Sequence, residues 1–371
     1  HDVRGPWSEP VFLNRSGFDP SLYHEGDKKY LVNMTIDHRA DHERFPGIDV
    51  QEYDPKTKKL VGKPVRVCAG TSRSLPEGPN IFKRGEYYYL TLAEGGTLYN
   101  HCTTVLRSRN VFGPYEEYPR NPVLVSAGQE NVLLERAGHS QIVQGIDGSW
   151  YLAHLCSRPL EQCSILGRET ALQNIRWTED GWYELAANKT GKPEITFSAP
   201  ATAVQRSDLS EYVDFRDSSL PLSYMTLRRS FKTNGIEVAE GKLRIEGGAS
   251  VMCKYHQGLV VRRQQSLHCD FRVAMQFDPQ HLNHIAGLLV YYNYDNHYYL
   301  KMSRDENGLF LAVSANVNKT LTDSSPVYLP PHTQLVYLVA VIRGENLQFN
   351  YSLDDTLLMI HPTPPMGRCW T

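Results

Sequence analysis

Apolar and polar positions alternate along this chain with a period of two, in short runs broken by Gly, Pro, Asn and Asp, and almost nowhere with the 3.6-residue period of a helix. In the first half one pattern recurs three times. Gly17-Phe18-Asp19-Pro20-Ser21-Leu22 leads through Glu25-Gly26-Asp27 to Lys29-Tyr30-Leu31. Pro76-Glu77-Gly78-Pro79-Asn80-Ile81 leads through Arg84-Gly85-Glu86 to Tyr88-Tyr89-Leu90. Ala137-Gly138-His139-Ser140-Gln141-Ile142 leads through Asp147-Gly148-Ser149 to Trp150-Tyr151-Leu152. Each copy predicts a short apolar strand, a tight turn and an aromatic strand. Outer strands follow, such as 50–53 before Asp54-Pro55, 104–107 before Phe112-Gly113-Pro114, and 170–173 and 182–185 joined by Glu179-Asp180-Gly181. A repeat of roughly sixty residues built wholly from strands predicts blades around an axis. Asp19, Glu77 and His139 are read as sharing one slot of that repeat, so the axis should gather an Asp, a Glu and a His.

The repeat stops near residue 200. Residues 187–215, with Asn188-Lys189-Thr190-Gly191-Lys192-Pro193 and Ser198-Ala199-Pro200, read as a linker. Beyond it, strand patterns at 243–246, 271–275, 286–292 and 336–342 without a helix predict a β-sandwich. The expected architecture is therefore all-β, with a propeller domain over 1–200 and a sandwich over 215–371. Residues 361–371 carry no strand pattern.

Composition narrows the function classes. The chain of 371 residues has a formal net charge of −2, with 22% charged and 41% hydrophobic residues, which suits a globular protein. Without a basic stripe, nucleic acid is not an expected partner. The longest apolar runs cover a few residues, too few for a membrane-spanning helix. The 22 tyrosines suit sheets and sugar platforms alike, with strand packing the expected use of most. Seven cysteines without a CxxC pair argue against a disulfide framework and a zinc site; they read as buried thiols, with one bridge, Cys156 to Cys163, left open. Sequons at Asn14, Asn33, Asn188, Asn318 and Asn350 point toward a secreted protein, with a cytoplasmic one as the alternative, although Asn33 falls inside a strand pattern. Residue 1 is His, and no signal peptide is read.

Carboxylates facing a groove are the working parts of a glycosidase: one protonated acid donates to the leaving oxygen, and a second group activates water or attacks the sugar. The acid needs a raised pKa, hence an apolar or like-charged setting. Glu77, between Pro76 and Pro79, and Asp19, before Pro20, are the candidates. His139 could be a core residue, a sugar ligand or a metal ligand. Arg168, in the same blade, could orient paired carboxylates. Gly95-Gly96 before Thr97 would allow close approach of backbone to ligand.

At these residues the chain resembles glycoside hydrolase family 43, in the β-xylosidase branch that joins a five-bladed propeller to a concanavalin-like β-sandwich. The resemblance runs through Gly-Pro-Trp-Ser-Glu-Pro at 5–10, Ser-Gly-Phe-Asp-Pro-Ser-Leu at 16–22, Asp37-His38-Arg39, Glu77-Gly78-Pro79, Ala93-Glu94-Gly95-Gly96-Thr97, Gly138-His139 and Gly167-Arg168-Glu169-Thr170, and on into Ala286-Gly287-Leu288. It implies an inverting enzyme that removes β-1,4-linked xylose from the non-reducing end of xylo-oligosaccharides. Glu77 matches the general acid, and Asp19 the aspartate that raises and orients it. His139 matches a histidine near the axis that in some relatives helps hold a calcium ion or water. Arg168 matches a substrate-contacting arginine, and Thr97 lines the sugar pocket. No cofactor is implied beyond a structural Ca2+, and a homo-oligomer is expected. The alternatives are an α-L-arabinofuranosidase or a non-catalytic binder of xylan oligosaccharides. The chain departs from the family in three ways. It opens at the third blade, so only about three blades and no general base are expected here. Its sandwich ends early, and Ile36 stands where relatives carry Trp. These departures imply a fragment of a larger protein, a truncated gene product or an incomplete sequence.

Overall fold

The computed structural model describes residues 4–196, 210–217, 219–354 and 358–362. Strands dominate, and the one helical element among them is a 3-10 turn at Lys232–Asn234. The chain divides into two units, 1–158 with 168–204, and 159–167 with 205–371.

The first unit consists of three antiparallel sheets in chain order. The first holds β1 (Ser21–Glu25), β2 (Lys28–Thr35), β3 (Gly47–Asp54) and β4 (Lys59–Cys68). The second holds β5 (Glu77–Arg84), β6 (Tyr87–Glu94), β7 (Cys102–Ser108) and β8 (Glu116–Glu117), with β9 (Leu124–Val125) also pairing β7. The third holds β10 (Glu135–Gln144), β11 (Trp150–Ser157), β12 (Glu169–Trp177) and β13 (Tyr183–Leu185). These are the three predicted propeller blades, each a meander of antiparallel neighbours whose first two strands are joined by a tight turn holding Gly26, Gly85 or Gly148.

Alternation along the strands supplies the packing between blades. Tyr30, Val32, Met34, Ile48 and Val50 of the first blade meet Ile81, Tyr88, Leu90 and Leu92 of the second in one core. Tyr89 and Val105 of the second meet Ala137, Leu152, Tyr183 and Leu185 of the third in another. Each such aliphatic side chain contributes about 1.5–3 kcal/mol by leaving water. Aromatic residues tie the second pair of blades: Trp177 lies edge-on to Tyr89 at 5.3 Å and to Phe82 at 6.2 Å. The Tyr- and Trp-rich strands here are packing surfaces, as expected for most of them. Strand β5 packs against β1 and β2, and β10 packs against β5, β6 and β7. The ends where the first strands begin are thereby brought together.

Two sequence expectations change. The segment read as a linker begins as a fastened one. Val125 N–H donates to the Gly191 carbonyl at 2.8 Å, and Gln173 exchanges two hydrogen bonds with the Glu194 backbone at 2.9 Å each. The Gly and Pro residues that suggested a linker serve here as turns laid along the blade. Residues 197–209 of that stretch lie outside the described residues. Cys156 is a buried thiol, so the bridge to Cys163 is not formed; a free sequence count carries no distance information. Asn33 is buried, with its amide donating to Ser16 Oγ and the Met34 carbonyl, which closes that sequon to a glycan.

The second unit is a sandwich of two antiparallel sheets. One orders His268–Met275, Val336–Arg343, Asn346–Ser352 and Leu358–Pro362; the other orders Ala286–Asn293, Asn296–Asp305, Gly308–Val317 and Thr320–Asp323. Leu300, Met302, Leu311 and Val313 of one face meet Leu338, Ala340, Leu347 and Phe349 of the other. The last strand includes His361 and Pro362, which the sequence pattern left without structure; residues 363–371, Cys369 among them, lie outside the described residues. No described helix is long and apolar enough to cross a membrane.

Candidate active site

Where strands β1, β5 and β10 begin, the three copies share a backbone device. Asp19, Gly78 and His139 all have left-handed backbone, at φ +51°, +55° and +51°. In β5 the four residues Glu77 to Asn80 face three in β6, Ala93 to Thr91. In β10, Gly138 to Gln141 likewise span Leu155 to Ala153 of β11. Each is a one-residue bulge, which turns the side chain before it out of the strand's alternation. The equivalent positions are therefore Asp19, Gly78 and His139, with Gly78 lying 59 residues from Asp19. Glu77 is not in the slot predicted for it. It sits one residue earlier, where the third copy has Gly138, because the left-handed residue after it defines the register.

This geometry still gathers the predicted residues. Gly78 N–H donates to Asp19 Oδ2 at 3.0 Å, tying the first blade to the second. Ser21 Oγ donates to the Pro79 carbonyl at 2.6 Å beside it. The His139 ring lies against the bare Cα of Gly78: a Cβ there would fall 2.7 Å from the imidazole. Burial and the Asp19 carboxylate raise the Glu77 pKa, while the Arg168 guanidinium pulls it back down. Burial lowers the His139 pKa, Asp19 raises it and Arg168 lowers it. Asp19, Glu77, His139 and Arg168 thus act on one another, from positions scattered over three blades. Thr97 is exposed on the turn between β6 and β7, and no bond joins it to these four.

A substitution follows from the crowding at Gly78. Gly78→Ala should cost about 1–2 kcal/mol from its left-handed backbone alone, and its methyl would push the His139 ring aside. We expect a lowered melting temperature and an activity loss of about tenfold, read by calorimetry and steady-state kinetics.

The backbone leading into Glu77 is held under strain. Ser74 and Leu75 are left-handed at φ +63° and +55°. The Ser74 carbonyl accepts from Gly95 N–H at 2.9 Å. Glu94, fully buried, accepts from Thr71 N–H and Thr71 Oγ1 at 2.7 Å each and from Thr104 Oγ1 at 2.5 Å. The Ala93-Glu94-Gly95-Gly96 stretch therefore clamps the loop that delivers Glu77, where the sequence suggested only a close approach to ligand.

His101 was not singled out by the sequence. It is fully buried at the head of β7, its Nδ1 2.5 Å from the Gly96 carbonyl and its Nε2 3.5 Å from Arg168 Nη2. The one signal available was a histidine just beyond the Gly95-Gly96 turn and ahead of an apolar strand.

A calcium ion does not fit these residues. Calcium takes six to eight oxygen ligands. No three His, Cys, Asp or Glu side chains are grouped to hold a metal among the described residues, and Asp19 Oδ2 is already taken by Gly78.

Residues 1–183 match the profile of Glycosyl hydrolases family 43. The chain belongs to this family. Residues 212–363 match the Beta xylosidase C-terminal Concanavalin A-like domain. The family 43 chain is 39% identical to a beta-xylosidase of Bacillus subtilis, over 95% of its own length and 69% of the relative's. It is 38% identical to xylosidase/arabinosidase 43B of Humicola insolens, over 95% and 67%. Among solved structures it is similar to the xylan beta-1,4-xylosidase of Bacillus halodurans, with a TM-score of 0.94 and 37% identity, covering 100% of this chain and 72% of that one. The family 43 chain is thus a glycoside hydrolase built as a propeller unit followed by a sandwich unit.

Proposed function

We propose that the chain releases β-1,4-linked xylose from the non-reducing end of xylo-oligosaccharides with inversion, and that Glu77 protonates the leaving oxygen. The observation that carries this reading is the setting of Glu77. Burial and a neighbouring carboxylate raise its pKa, which keeps a carboxyl protonated and able to donate. Asp19 supplies that neighbouring charge, and its oxygen is fixed by Gly78 N–H rather than left to activate water. Arg168 and His139 would bind the sugar, with Thr97 at the rim of the pocket. The beta-xylosidases to which the chain is similar support xylose as the sugar. A secreted location and a homo-oligomeric state belong to the same reading.

A second reading has its own support. An α-L-arabinofuranosidase of Bacteroides ovatus is 31% identical over 86% of this chain. Parallel kinetics on nitrophenyl β-xyloside and nitrophenyl α-arabinofuranoside separate the two. We expect the larger kcat/KM on the xyloside, and an arabinoside value more than tenfold higher would reverse the order. Binding of xylobiose by calorimetry without any turnover would instead favour a sugar-binding role.

A further inference from the structure

A buried histidine outside the residues assigned above connects two of them. His101 packs its ring on Gly138: a Cβ at residue 138 would fall 2.3 Å from the His101 Cδ2, so only a glycine leaves room. The ring's two nitrogens face different partners. A guanidinium can only donate hydrogen bonds, so Nε2, 3.5 Å from Arg168 Nη2, must be the acceptor. The proton then sits on Nδ1, which donates to the Gly96 carbonyl at 2.5 Å. We propose that His101 is the positioning residue for Arg168, its Nε2 accepting from the guanidinium while its Nδ1–H is anchored on the turn that carries Thr97. The inference rests on the functional reading above, since Arg168 matters through its charge on Glu77 and His139.

The electrostatics agree. Burial lowers the His101 pKa to about 4, the Gly96 carbonyl opposes that, and Arg168, His139 and His154 lower it further. Arg168, His139 and His154 are the titratable and charged groups that act on the ring, and all three disfavour a second proton. A neutral imidazole is what an arginine needs as an acceptor; an imidazolium would repel it. Arg168 itself is exposed, so without such a partner its long side chain would spread over many rotamers.

The test reads the position of the Arg168 charge through Glu77. Asp19 and Arg168 are the charges that act on Glu77, the first raising its pKa and the second lowering it. Moving Arg168 away must therefore shift the alkaline limb of the kcat/KM profile upward. His101→Asn keeps a donor for Gly96 but is too short to reach Arg168. We expect it to fold, to move the alkaline limb upward, and to lower kcat/KM about tenfold, as for partners in one hydrogen-bonded network. Arg168→Met should move the limb the same way, and the double variant should go no further than Arg168→Met alone. His101→Gln, with an oxygen near the position of Nε2, should return the limb toward its original place. A limb that stays put in His101→Asn while Arg168→Met moves it would overturn the inference and leave the functional reading standing, as would additive effects in the double variant. If Arg168→Met itself leaves the limb in place, the role read for Arg168 fails, and the inference with it.

Discussion

Glu77→Gln should lower kcat on xylobiose by on the order of 10²–10⁴-fold, the usual contribution of a positioned acid. Glutamine keeps the shape and the bulge but has no proton of carboxylic acidity to give. The loss should be small on nitrophenyl xyloside, whose leaving group departs without protonation. The ratio of the two losses is the diagnostic quantity, because a folding defect would lower both alike. Stability gives an independent check. A carboxyl whose folded pKa lies above its unfolded value, here 4.5, holds more protons in the native state than in the unfolded one across that interval. Its contribution is present below pH 4.5 and is lost as pH rises through the folded value. Glu77→Gln removes that dependence, so at neutral pH the variant should melt no lower than the parent. Normal turnover of xylobiose by this variant would end the assignment of Glu77 as the acid.

Asp19→Asn should separate charge from geometry. The asparagine oxygen can still accept from Gly78 N–H, so the link between the first two blades survives. The negative charge beside Glu77 does not survive. Burial is the larger cause of the raised Glu77 pKa and the Asp19 charge the next, so its removal lowers that pKa without restoring it to that of a free carboxyl. The alkaline limb of kcat/KM should move to lower pH while the acidic limb stays, opposite in direction to the shift expected for Arg168→Met. At neutral pH the loss should be on the order of 10²-fold, typical of removing one preorganised charge or donor from a site. A pH profile identical to that of the parent would show that Asp19 does not act through the acid.

Both variants act at a device that local sequence pattern cannot resolve. A one-residue bulge exchanges which side chain leaves the strand and which stays in it. The written copies place Asp19, Gly78 and His139 third in each string, yet chemical similarity drew attention to Glu77 instead. Only the φ angles and the strand pairing show that Gly78 occupies the slot and that Glu77 is displaced by it. A displacement of one position at the head of β5 still leaves Glu77 beside Asp19.

Local alternation and turn chemistry were sufficient to read the three blades and the sandwich strands, because a strand's period and a turn's residues are properties of neighbours in sequence. That Asp19, Glu77, His139 and Arg168 come together was also legible, through the repeat and through motifs of the family. Tertiary structure alone decided the rest. It fastened residues 187–196 along the blade, left Cys156 unbridged, and brought His101 between the Gly96 turn and Arg168. The contacts that decide the first and the last, Gln173 with Glu194 and Arg168 with His101, cross 21 and 67 residues of chain and leave no local periodic trace.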